Sequence, residues 1–148
     1  MTRIKAGIVG SAGYTGGELL RILIHHPQVE IVFANSASNA GNKVSDVHTD
    51  LLGDTDLRFT DQTSDDIDVL FLCVGHGDAR KYLEANPIAP HIKIVDLSQD
   101  YRLSANTAYQ GKSFVYGLPE LQREAIKGRR MLLIPVASQQ VFSWPCCH

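Results

Sequence analysis

Gly7-Ile8-Val9-Gly10-Ser11-Ala12-Gly13-Tyr14-Thr15-Gly16-Gly17-Glu18-Leu19-Leu20 is the stretch whose reading decides the fold. Upstream of the turn, Ile4-Lys5-Ala6-Gly7-Ile8-Val9 is short, apolar and β-branched, the pattern of a buried strand. Downstream, Leu19-Leu20-Arg21-Ile22-Leu23-Ile24 is apolar enough for a helix against a sheet, and Pro27 stops it. A glycine turn joining a first strand to a first helix is a mononucleotide-binding βα unit. Its glycines remove side chains where backbone approaches a phosphate. The helix N-terminus adds unpaired N–H groups and the positive end of its dipole. The spacing is Gly10-x-x-Gly13-x-x-Gly16, not G-x-G-x-x-G. The glycines alone therefore admit a structural turn as well; the flanking strand and helix favour the nucleotide loop. Gly10, Ser11, Ala12, Gly13, Tyr14, Thr15 and Gly16 are the predicted pyrophosphate contacts.

The remaining chain repeats the strand–helix alternation of a doubly wound α/β fold with a mainly parallel sheet. Strands are predicted at Val29-Glu30-Ile31-Val32-Phe33-Ala34, at Leu57-Arg58-Phe59, at Asp68-Val69-Leu70-Phe71-Leu72-Cys73-Val74, at Ile92-Lys93-Ile94-Val95-Asp96 and at Met131-Leu132-Leu133-Ile134. A helix is predicted from Asp78, and an amphipathic one runs on from Tyr116-Gly117-Leu118-Pro119-Glu120-Leu121 to Lys127, with Gly128 as its cap. Ligands in such sheets bind beyond the carboxyl ends of strands. Gly75, His76 and Gly77 after the most apolar strand, and Ser98 after the next, are therefore predicted to border a cofactor, although His76 reads equally well as a turn histidine. His48 reads as a surface or loop-packing histidine, and Cys73 as an inert buried thiol. Asp100, Tyr101 and Arg102 read as a buried polar knot that holds their loop, with substrate contact as the other reading of Asp100 and Arg102.

The end of the second strand bears on the cofactor. NAD-binding folds place an acid there to accept from the ribose 2′-OH, but here the chain reads Asn35-Ser36-Ala37-Ser38-Asn39. Asn35, Ser36 and Ser38, with Lys43 near, suit a 2′-phosphate, so NADP is expected over NAD; loop capping is the other reading of these polar groups. The 148 residues make one domain with a real core. A net charge of −2 gives no reason to expect nucleic acid or an anionic membrane surface, and no apolar run is long enough to span a bilayer. Three cysteines, two of them adjacent, make no disulfide framework, and with no signal peptide a cytoplasmic location is expected.

Gly10 to Leu20 closely resembles the loop of N-acetyl-γ-glutamyl-phosphate reductases. Three further segments agree in order: Ser38 to His48, Val95 to Leu103 and Val115 to Leu121. The resemblance implies a dinucleotide-binding Rossmann domain at residues 1–134. In the family a larger catalytic and dimerisation domain follows, which this chain is expected to lack. It implies NADPH-dependent reduction of N-acetylglutamyl phosphate to the semialdehyde in arginine biosynthesis, and a homo-oligomer. The family often carries Arg where Ala37 stands. Aspartate-semialdehyde dehydrogenase, with the same fold and chemistry, is the alternative enzyme; Gly13-Tyr14-Thr15-Gly16 and Tyr116-Gly117-Leu118-Pro119-Glu120 argue against it. A non-catalytic nucleotide-binding or interaction module is the third reading.

The resemblance stops after Ile134. In the family the last strand runs into Ala-Asn-Pro-Gly-Cys, whose thiolate attacks the acyl phosphate to make a thioester that hydride then reduces. Here Pro135-Val136-Ala137-Ser138-Gln139-Gln140 follows, and the chain ends Ser143-Trp144-Pro145-Cys146-Cys147-His148. Read one frame over, the codons of Trp144-Pro145 force Ala and those of Cys146-Cys147 force Leu. Val136-Ala137-Ser138 permits Gly-Cys-Phe. The expectation is a reading-frame shift just after Ile134, an aberrant tail at 135–148, no catalytic nucleophile and no turnover. Cys146-Cys147-His148 is a poor metal chelate, because adjacent cysteines rarely reach one ion together.

Overall fold

The computed structural model describes residues 2–75, 77–98, 108–109, 112–116, 119–128 and 130–133. The expectations for His76, Asp100, Tyr101, Arg102, Ile134 and the tail at 135–148 lie outside the described residues. The strands are β1 (Ile4–Val9), β2 (Val29–Asn35), β3 (Phe59–Thr60), β4 (Val69–Leu72), β5 (Lys93–Asp96), β6 (Ala108–Tyr109), β7 (Lys112–Ser113), β8 (Val115–Tyr116) and β9 (Met131–Leu133). The helices are α1 (Tyr14–Ile24), α2 (Val44–Val47), α3 (Asp78–Ala85) and α4 (Pro119–Ile126). Seven strands form one sheet in the order β3-β2-β1-β4-β5-β9-β8, and every pairing in it is parallel. β6 and β7 form a separate antiparallel pair.

Parallel strands need crossovers, and those crossovers cover both faces with helices. Leu20 and Leu23 of α1 pack with Ala6, Ile8, Ala34 and Phe59 on one face. Ala79 and Leu83 of α3 pack with Val9, Leu70, Leu72 and Ile94 on the other. Each fully buried Leu or Ile contributes roughly 1.5–3 kcal/mol, so these two layers hold the sheet. The expected doubly wound α/β architecture is what the chain adopts. β1 is central, flanked by β2 and β4, and the winding reverses direction between β1 and β4.

Two features of this frame were not legible beforehand. Between β1 and β2 the register slips, so that Ala6 faces Ile31 but Gly7 faces Phe33. The slip lets the Phe33 ring lie over Gly7, where a Cβ would stand 2.4 Å from Cζ. The loop-rich stretch after β2 also holds the short helix α2, followed by a 3₁₀ turn at Thr49–Leu51. Val44 and Leu51 are fully buried under it against the α1 layer.

Candidate functional site

The point of reversal is where an open α/β sheet leaves a crevice at its carboxyl edge. β1 ends there at Val9, and Gly10 turns the chain with φ +77°, a conformation that favours glycine. A Cβ at Gly10 would lie 2.7 Å from the Cys73 carbonyl oxygen just past β4. The loop is thereby pressed against the end of the neighbouring strand. Ser11 is fully buried and ties the loop to β2: its N–H and its Oγ both donate to the Asn35 carbonyl, at 3.0 and 2.9 Å. The Gly10 N–H donates to the same oxygen at 3.1 Å.

These bonds divide the predicted contacts into two groups. Gly10 and Ser11 have their N–H groups turned inward to Asn35, and these bonds shape the loop. Among the described residues no acceptor faces the N–H groups of Ala12, Tyr14, Thr15 or Gly16, as the geometry of a helix start leads one to expect for the last three. The Tyr14 side chain is 83% exposed at this end of α1.

The glycines divide in the same way. At Gly16 a Cβ would lie 2.6 Å from the Ser11 Cα and 2.7 Å from the Gly10 oxygen, both backbone atoms that cannot step aside. At Gly17 it would lie 2.5 Å from the ring of His48. Gly13 is different. Its φ of −76° suits any residue, and a Cβ there would meet only the Gly10 oxygen at an ordinary 3.7 Å. The fold has a packing reason for Gly10, Gly16 and Gly17 and none for Gly13.

The other predicted residues that the structure describes lie at the same edge. The Ser36 N–H donates to the Thr60 oxygen, continuing the sheet by one step, while Asn39 Nδ2 donates to both Ser36 Oγ and Ser38 Oγ. Lys43 lies 3.6 Å from Asp56 in an exposed ion pair. Sequence reasoning missed Arg58, whose Nη1 donates to the Gly41 oxygen and so sets a guanidinium against the turn that follows β2. The antiparallel bridge between Lys43 and Arg58, with the Gly41 N–H donating to the Phe59 oxygen, makes the two neighbours.

Gly75 follows β4, and its carbonyl accepts from Asp78 N–H at the start of α3. Gly77 caps that helix with φ +84°. Beyond β5 the Ser98 N–H donates to the buried Asp96 Oδ1 at 2.8 Å, an Asx turn that closes the strand end. Leu97 N–H donates to the Leu72 oxygen, so the ends of β4 and β5 stay in step. Cys73 lies between these ends. Burial, helped by the negative charge of Asp96, pushes its thiol up to about 12.

A cavity of about 270 Å³ bordered by Phe33, Ile67, Leu70, Tyr82, Ile88 and Ile92 lies elsewhere. Ile67 and Ile92 sit just before β4 and β5, so it opens at the opposite end of the sheet and contains none of the loop residues. Among the described residues no group of three His, Cys, Asp or Glu could hold a metal ion, and no helix is long and apolar enough to cross a membrane.

Comparison with known proteins agrees with this fold. The chain is 57% identical over 123 residues to the N-acetyl-γ-glutamyl-phosphate reductase of Bacteroides thetaiotaomicron, a match covering 82% of the chain and 37% of that protein. It is 50% identical over 133 residues to the reductase of the same name from Parabacteroides distasonis, covering 89% and 40%. The chain therefore spans about two-fifths of the length of these relatives. Among solved structures it is similar in fold to an aspartate semialdehyde dehydrogenase with NADP from Candida albicans (TM-score 0.62, 18% identity, covering 90% of this chain and 42% of that one). It is similar in the same sense to aspartate semialdehyde dehydrogenase II of Vibrio cholerae (TM-score 0.65, 16% identity, covering 90% and 38%). The family pattern described as "semialdehyde dehydrogenase, NAD binding domain" matches residues 5–129, and with that span this chain belongs to the semialdehyde dehydrogenase family as its NAD-binding domain.

Proposed function

We propose that residues 1–134 are the NADP-binding domain of an N-acetyl-γ-glutamyl-phosphate reductase, with the pyrophosphate against the loop from Ala12 to Gly16. The observation that carries this is Gly13. It is a glycine that the fold does not need, at a helix start where the N–H groups of Tyr14, Thr15 and Gly16 have no acceptor among the described residues. A bare backbone at that position suits the close approach of a phosphate. When bound, the nicotinamide supplies the hydride; this chain's part is to hold and orient it. Gly10 and Ser11 hold the loop against β2 and β4, and Gly75, Gly77 and Ser98 border the nicotinamide side. Asn35-Ser36-Ala37-Ser38-Asn39 at the end of β2 includes no carboxylate to accept from a ribose 2′-OH. Ser36, Ser38 and the Arg58 guanidinium on the following turn suit a 2′-phosphate instead.

Titration calorimetry tests both halves. Gly13→Val is expected to weaken NADPH binding at least tenfold, about 1.4 kcal/mol, with the thermal midpoint lowered by only a few degrees, the loss of a glycine N-cap. Undiminished affinity removes the loop from the site. NADPH is expected to bind more tightly than NADH; equal affinity would show that the reading of Asn35 to Ser38 is wrong.

The domain and the tail after residue 134 are read as separate, the tail as the product of a shifted frame. In that reading this polypeptide binds cofactor without catalysis. Incubated with N-acetylglutamate semialdehyde, phosphate and NADP, it is expected to form no NADPH above background. Turnover lost in a Cys146→Ser, Cys147→Ser double variant would overturn this.

A further inference from the structure

His48 is thirty-seven positions from Ser11 in the chain, yet its Nε2 lies 2.8 Å from the Ser11 carbonyl oxygen. A carbonyl cannot donate, so Nε2 carries the proton and donates. Two further contacts hold the half-buried ring. It lies flat enough on Gly17 that a Cβ there would touch Nδ1 and Cε1 at 2.5 Å, and it meets Phe59 edge-on at 6.1 Å. Its backbone is pinned as well: the N–H donates to the Val44 oxygen, closing α2, and the carbonyl accepts from Leu51. Val44 and Leu51 are fully buried anchors. The imidazole is thus delivered to the underside of the loop from a rigid double turn.

The consequence lies in the next peptide. The Ser11 carbonyl and the Ala12 N–H belong to one planar trans unit and point in opposite directions. A bond that draws the carbonyl toward His48 turns the Ala12 N–H away from it. That N–H has no acceptor among the described residues. We propose that His48 is a positioning residue of the phosphate loop, which orients the Ser11–Ala12 peptide so that the Ala12 N–H is presented to a bound pyrophosphate. The proposal rests on the nucleotide-binding reading above. It explains why Gly17, one residue beyond the glycine spacing, must also lack a side chain: the ring needs that space to reach Ser11.

The test uses the 148-residue chain. A long-range ¹H–¹⁵N spectrum of the imidazoles is expected to show His48 protonated at Nε2; an Nδ1–H tautomer cannot make the bond and overturns the proposal. NADPH is then titrated into the wild type, His48→Leu and His48→Gln while the Ala12 amide is followed. Leucine keeps bulk and loses the donor. Glutamine restores an N–H near the Nε2 position. The expected result is a large Ala12 amide shift on binding in the wild type, affinity reduced about tenfold in His48→Leu, roughly the worth of one hydrogen bond, and most of it recovered in His48→Gln. Equal weakening in both folded variants would overturn the proposal, because bulk would then be what the loop needs. If His48→Leu does not fold, the comparison of wild type with His48→Gln, the tautomer and the Ala12 shift still decide. A wild type that binds no NADPH removes the nucleotide reading and this proposal with it. Binding undiminished in both variants removes this proposal alone.

Discussion

Gly16→Ala is expected to destabilise the chain by about 2–3 kcal/mol in urea denaturation, against the ordinary preference of a helix. In an exposed helix interior the same change gains about 1 kcal/mol, because alanine loses less backbone entropy. Here the added methyl would sit 2.6 Å from the Ser11 Cα and 2.7 Å from the Gly10 oxygen. Forcing extra volume into a packed site costs roughly 1–3 kcal/mol when side chains can adjust. Backbone atoms held by the triple attachment to the Asn35 oxygen adjust least, so the overlap outweighs the propensity and the net sign is unfavourable. Gly13→Ala is the internal control. With φ −76° and open space around it, it should change stability by no more than about 1 kcal/mol, the usual loss of a glycine N-cap to alanine. If Gly16→Ala proves as mild as Gly13→Ala, the close approach of α1 to the loop is not what holds this end of the sheet.

Cys73 is expected to resist alkylation in the native chain and to react readily once unfolded. Burial raises its thiol from 9.0 to about 12. Since only the thiolate reacts, the rise from 9.0 to about 12 cuts the reactive fraction at pH 8 by about a thousandfold, before restricted access slows the reaction further. Mass spectrometry of the peptide carrying Cys73, after timed iodoacetamide treatment with and without urea, separates it from Cys146 and Cys147. Comparable labelling in both conditions would show that the ends of β4 and β5 are open to solvent.

The same shift has a pH consequence. The unfolded chain releases this proton near pH 9 and the folded chain only near pH 12. Between those values the unfolded state binds fewer protons, so stability falls as pH rises through that window; below pH 9 this group contributes no slope. A thiol so placed is no nucleophile.

What the sequence determined by itself was whatever depends on neighbours in the chain. Apolar runs such as Val69-Leu70-Phe71-Leu72 mark buried strands because a parallel sheet covered on both faces needs no polar side. Glycines between a strand and a helix mark a close backbone approach wherever they occur. From these came the doubly wound fold and the location of the loop. The tertiary structure decided everything that joins distant segments. It turned the Gly10 and Ser11 N–H groups to Asn35, set Arg58 against Gly41, and laid His48 under Ser11. It also separated glycines required by packing, Gly10, Gly16 and Gly17, from Gly13, which packing leaves unexplained. All four look alike in sequence, because a missing side chain does not say what stands where it would have been. That depends on what the fold brings within 3 Å: the chain just past β4 for Gly10, the turned-back backbone of Ser11 for Gly16 and the ring of His48 for Gly17.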